Sequence, residues 1–149
     1  MSTHTVATQS GISEPEAFKG LTVGTIPAEW VASGNGEVRN RVLWKTRDRL
    51  AYVVYWECGD VEFTWSYTVD EAMVVVGGEA FISDLSGNER HYQPGDTAFF
   101  AAGTKARWRV PRQVSKVAFV KDPVWWPLAL ASRVLKRLGQ AFGGSKVSL

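Results

Sequence analysis

The chain of 149 residues carries few side chains able to do chemistry alone, with two histidines, His4 and His91, and one cysteine, Cys58. Ser66 and Ser83 have no histidine at a readable spacing, so a Ser-His nucleophile is not expected. Cys58 also lacks such a partner and reads as a small buried hydrophobe. Gly34-Asn35-Gly36 is a GxG outside any strand-turn-helix setting, and reads as a turn rather than a nucleotide site. The residues with a chemical case are Glu71 and Tyr67, four apart, with Trp65 just before them and Trp108 further on. A glutamate can act as general acid, or as base once ionised, and a tyrosine can hydrogen-bond it or serve as a second acid. The plainer reading leaves Glu71 exposed at a strand start, or tied to Arg107 or Arg109.

The elements that must position these residues are short. Runs rich in Val, Tyr, Phe, Trp and Thr fall at 37–46, 50–58, 60–67, 71–76, 79–85, 89–93, 96–100, 105–110 and 113–121. Breaks such as Gly59-Asp60, Gly77-Gly78, Pro94-Gly95 and Ala102-Gly103 separate them. Nine strands with tight turns and no helix between them predict an all-β antiparallel sandwich or barrel. In 61–67 the period of two places Val61, Phe63, Trp65 and Tyr67 on one face. In 105–110 it turns Ala106, Trp108 and Val110 inward, with Arg107 and Arg109 outward. In 71–76 either face is apolar; Glu71 shares its face with Met73 and Val75, and the parity leaves open whether that face meets the same interior.

The ends differ from this body. Residues 1–15 read as a flexible arm, within an N-terminal lead-in over 1–35, and show neither the basic start nor the apolar run of a signal peptide. After the barrel, expected over 36–121, the segment 122–149 reads as an amphipathic α-helix and tail. Leu128, Ala131, Val134, Leu135, Leu138, Ala141 and Phe142 recur at helical spacing, Pro127 suits a first turn and Gly143-Gly144 a stop. The helix is expected to pack on the body or on a second subunit. A membrane-surface role, favoured by Trp125, Trp126 and a basic face, is the lesser reading.

Spacing then becomes specific. Gly59, five residues, Trp65, one residue, Tyr67, three residues, Glu71, six residues, Gly78 resembles the first cupin motif. Gly95-Asp96, Ala101-Ala102-Gly103 and Ala106 resemble the second. The stretch from about 40 to 121 is similar to the ureidoglycine aminohydrolase and ethanolamine-utilisation branch of small single-domain cupins. This resemblance implies a double-stranded β-helix, a jelly-roll barrel, often a homodimer, with a small-molecule pocket in its mouth. Metal-bearing members hold their metal at the positions matched here by Trp65, Tyr67, Glu71 and Ala106. Three of these four have lost the expected histidine, so no metal and no other cofactor is expected. The lost histidines are replaced by aromatic surface. Trp65, Trp108, Phe63, Trp56 and Phe99 are expected to line a pocket for a planar or apolar molecule, or a cation. The opposing reading has the same rings simply filling the barrel.

Composition agrees and narrows the classes. The chain is 45% hydrophobic and 21% charged, which excludes a disordered or collagen-like protein. It has no run of 18 apolar residues, and its net charge of +2 argues against nucleic acid as a partner. A lone cysteine fits a reducing, cytoplasmic setting. Lys105, Arg107, Arg109 and Arg112 form a basic strip, either a solvated face or a greeting for an anionic group. Three functions stay open. The first is a metal-free cupin binding a small organic molecule against Trp65, Tyr67 and Trp108. The second is a metal-independent isomerase, cyclase or lyase using Glu71 and Tyr67. The third and least is a metalloenzyme of the aminohydrolase kind. Whether the protein is an enzyme is left undecided by its residues.

Overall fold

The computed structural model describes residues 18–123. The order is β1 (Thr22–Thr25), a 3-10 turn at Ala28–Trp30, β2 (Val31–Gly34), β3 (Glu37–Lys45), β4 (Ala51–Cys58), β5 (Val61–Ser66) and β6 (Asp70–Gly78). It continues through β7 (Ala80–Ser83), β8 (Glu89–Tyr92), β9 (Thr97–Phe100), β10 (Lys105–Val110) and β11 (Val114–Lys121). All nine strands expected from the alternation are present, with ends differing by a residue or two.

The strands form two antiparallel sheets, β1-β3-β4-β11-β6-β9 and β2-β5-β10-β7-β8. The frame is all-β. β11 lies in the middle of the larger sheet, paired along its whole length with β4 on one side and β6 on the other. Only β3-β4 and β7-β8 pair consecutive strands; the other pairings, those of β11 with β4 and β6 among them, join distant parts of the sequence, so side chains far apart in the chain meet on the inner faces.

The lead-in expected to precede the barrel is part of it. β1 pairs with β3 in one sheet and β2 with β5 in the other, so residues 22–34 bind an edge of each. TVGT and VASG are four residues each and carry glycine, too short and too polar to show an alternation. The arm at 1–15 and the helix and membrane-surface contact expected at 122–149 fall at residues 1–17 and 124–149, outside the described residues apart from Asp122 and Pro123.

Inward-facing residues of the two sheets form one core, including Val61 and Phe63 of β5, Met73 and Val75 of β6, Trp108 and Val110 of β10, and Val114, Ala118 and Val120 of β11. Burying each large apolar side chain contributes about 1.5–3 kcal/mol, which offsets the ordering of eleven short strands. The chain passes from one sheet to the other at Gly78, between β6 and β7, with φ of +67°. A Cβ there would lie 2.1 Å from the Gln113 carbonyl oxygen, so only glycine fits this corner.

Candidate functional site

The two sheets do not close completely on each other. Between them lies a cavity of about 470 Å³, within the range of about 300–1,000 Å³ usual for small-molecule pockets. Alternation along β5 and β10 brings Phe63, Trp65 and Trp108 to one wall, and β4 brings Trp56 to the opposite side. Phe63 and Trp108 stack at 5.7 Å, and Trp65 meets Phe63 edge-on at 6.1 Å. Trp30, from the 3-10 turn, holds the other side of Trp65 at 5.3 Å. Each ring is fixed by a neighbouring ring, so the wall is rigid without filling the space. The expectation that these rings merely plug the barrel is not met.

Tyr67 and Glu71 face the same cavity. Tyr67 is stacked on Phe100 at 4.3 Å, and its hydroxyl oxygen accepts a hydrogen bond from Trp108 Nε1 at 3.2 Å. Burial, reinforced by the nearby Glu71 charge, pushes its hydroxyl well above the ordinary tyrosine range. Tyr67 therefore keeps its proton, and its O–H is available to donate to a ligand in the cavity.

Glu71 is buried, and neither the strand-start exposure nor an arginine tie weighed for it applies. Its carboxylate accepts a charge-assisted hydrogen bond from Lys116 Nζ, and both side chains are about nine-tenths buried. Sequence reasoning missed Lys116. The signal was present in β11, where Val114, Lys116, Ala118 and Val120 share one face, so the lysine falls in phase with an apolar row. Register shows how the pair forms. Glu71 lies opposite Val120 and Lys116 opposite Val75, with the small Ala118 between, so the two side chains reach toward each other over a methyl group. The ammonium also sits 5.0 Å from the Trp108 ring centre and 5.2 Å from that of Trp56, close enough for cation–π attraction.

Other expectations need correction. Phe99 does not line the cavity; it is 65% exposed on the outer face of the larger sheet, paired with Ala72. The strand period of two turns Phe100 inward instead, against Tyr67. The basic strip does not greet the cavity either. Arg109 crosses Phe81 at 4.0 Å and bonds Glu89 at 2.8 Å on the outer face of the smaller sheet, while Lys105, Arg107 and Arg112 line no part of the cavity. His91 stacks on Phe81 and hydrogen-bonds Glu79 at 2.7 Å on that same face. Cys58 is buried, and desolvation pushes its thiol up to about 12.

The donor set does not fit a metal ion. Of the side chains at 65, 67, 71 and 106, an indole and a methyl offer no lone pair, and Tyr67 holds its proton. Glu71 is bonded to an ammonium that would repel a divalent cation. No group of three or more His, Cys, Asp or Glu arranged to hold a metal occurs among the described residues.

Two antiparallel sheets folded over a cavity make a jelly-roll barrel, the fold of the cupins. Residues 45–118, just under half of the chain, match the EutQ-like cupin domain. Solved structures agree on the fold. EutQ from Salmonella typhimurium, an ethanolamine utilization protein, superposes with a TM-score of 0.61 at 17% identity, over 78% of this chain and 91% of that one. EutQ from Clostridium difficile gives 0.59 at 21% identity, over 84% of this chain and 100% of that one. A protein of the DUF861 family from Pseudomonas syringae pv. tomato gives 0.67 at 23% identity, over 80% of this chain and 52% of that one. No curated protein sequence matches the chain significantly. No helix among the described residues is long and apolar enough to cross a membrane.

Proposed function

We propose that the barrel binds a small, planar organic molecule in its aromatic cavity without the aid of a metal. The observation that carries this is the open volume of about 470 Å³ beside Phe63, Trp65 and Trp108. Rings packed for stability alone would have closed that space, since cores are packed nearly to crystal density. The lining is largely apolar with a few converging polar groups, the balance found in pockets that orient a ligand. The reading places the protein in a reducing, cytoplasmic setting, where Cys58 stays a thiol.

A second reading is favoured by one geometric fact: Glu71, Lys116 and Tyr67 face one cavity. An ionised Glu71 can take a proton from one atom of a ligand held against the rings and return it to another, which is the chemistry of a metal-independent isomerase, cyclase or lyase. In this reading Glu71 moves the proton and Tyr67 donates a hydrogen bond. The metal-dependent aminohydrolase reading has no support from the donor set.

Binding is tested by thermal unfolding of the protein against a panel of planar organic compounds. A ligand at a hundred times its dissociation constant stabilises the folded state by about 2.7 kcal/mol. Trp65→Ala removes a wall and is expected to abolish the shift. A panel without any shift overturns the proposal. Glu71→Gln separates the two readings, since it removes turnover from an acid-base enzyme while a binder still takes up its ligand.

A further inference from the structure

The polar groups of the cavity are unevenly matched. Lys116 Nζ has three N–H bonds, of which one goes to Glu71 while the rest face the rings and the open space. Tyr67 accepts from Trp108, so what it offers a ligand is its O–H. Tyr52, whose hydroxyl is also pushed up, first by burial and then by the Asp122 and Glu71 charges, is a second O–H donor. Lys45, exposed at the mouth, adds an ammonium that can only donate. Against these stand the remaining acceptor capacity of Glu71 and the amide oxygen of Asn40. Two positive side chains and one negative line the space, and the second negative group nearby, Asp122, acts on Tyr52 from outside the lining.

We infer that the ligand is an organic acid, a planar ring or conjugated system bearing a carboxylate, whose anionic oxygen is held by Lys116 while its plane lies along Phe63 and Trp108. This names the ligand class of the binding reading and rests on it. Lys116 is suited to the part because Glu71 holds its ammonium in place before any ligand arrives, with the Trp56 and Trp108 rings 5.2 and 5.0 Å away. The ammonium then gains a charge-assisted hydrogen bond in a partly desolvated space, where such bonds are strongest. A neutral ligand of the same shape would leave those N–H bonds unanswered, and a cationic one would meet both lysines.

Calorimetric titration with benzoate, benzyl alcohol and benzylammonium tests this, since the three probes share one ring and differ in charge. Benzoate is expected to bind about tenfold or more tightly than benzyl alcohol, with benzylammonium weakest. Lys116→Met should erase the preference for benzoate while benzyl alcohol still binds, and Lys116→Arg should retain much of it. Because Lys116→Met strands the Glu71 charge, the double variant Glu71→Gln/Lys116→Met is titrated beside it, with the same loss expected. Benzoate binding no tighter than benzyl alcohol, or a preference unchanged in the double variant, overturns the inference and leaves the pocket standing. If none of the three binds, the pocket reading itself falls, and this inference with it.

Discussion

Lys116 and Glu71, 45 residues apart in the sequence, form a buried ion pair in the lining of a cavity that also carries Trp56, Phe63, Trp65, Tyr67 and Trp108. Such a pair is costly to desolvate, and its attraction repays that cost only when the geometry is good and both partners stay. The pair therefore matters most for what its loss would leave behind.

Removing one partner strands the other. Lys116→Met or Glu71→Leu alone is expected to lower the unfolding free energy by about 3–5 kcal/mol, while Glu71→Leu/Lys116→Met together should cost clearly less than either. Urea denaturation of the four proteins measures this directly. Additive losses would show that the two side chains do not act as a pair.

Adjacent phenylalanines are expected to behave in opposite ways. Phe100→Ala removes a ring stacked on Tyr67 and should cost about 3–5 kcal/mol. Phe99→Ser, on the outer face, should stay within about 0.5 kcal/mol and leave ligand affinity unchanged. A loss of affinity in the Phe99 variant, read by the same calorimetric titration, would restore that residue to the site.

Gly78 tests the corner between the sheets. A methyl group there must enter the space of the Gln113 carbonyl oxygen in a backbone conformation that alanine disfavours. Gly78→Ala is expected to lower the denaturation midpoint by an amount equivalent to more than about 1 kcal/mol, because at a positive φ the substitution costs more than it gains. A variant as stable as the parent would show that this corner relaxes freely.

Alkaline pH should weaken the fold through buried groups that keep their protons. Folding raises the Cys58 thiol from 9.0 to about 12 by desolvation, and Tyr67 is raised in the same sense. An acid whose folded value is raised favours the native state fully below its unfolded value, and that contribution is lost as pH climbs from about 9 toward 12. The unfolding free energy should therefore fall over that window, and Cys58→Ala should make the fall shallower. The native thiol should also resist iodoacetamide at about pH 8 and react once denaturant is added. Rapid alkylation without denaturant would contradict its burial.

Nine of the eleven strands are legible in the sequence, with the inner faces of those at 61–67 and 105–110, whereas β1 and β2 are not. Alternation in 61–67 and 105–110 depends only on the two-residue period of an extended chain, and it correctly aimed Phe63, Trp65, Tyr67, Ala106 and Trp108 inward. The loss of the histidine at three of the four positions is also read from the sequence, and at two of them, Trp65 and Ala106, the side chain has no lone pair to give a metal wherever it sits. Local pattern fails where two distant strands must be brought together. Arg107 and Arg109, the partners that local pattern offers Glu71, are turned outward by their own parity, while Lys116 stands in phase with an apolar row on β11. Only the placement of β11 between β4 and β6 decided that this lysine meets that glutamate. Likewise, in the short strand β9 both phenylalanines are equally apolar, and the choice between Phe99 and Phe100 was made by the pairing of Phe100 with Glu71. Whether the rings would fill the barrel or wall a cavity was also a tertiary matter, since it depends on the distance between two sheets, which no single strand encodes.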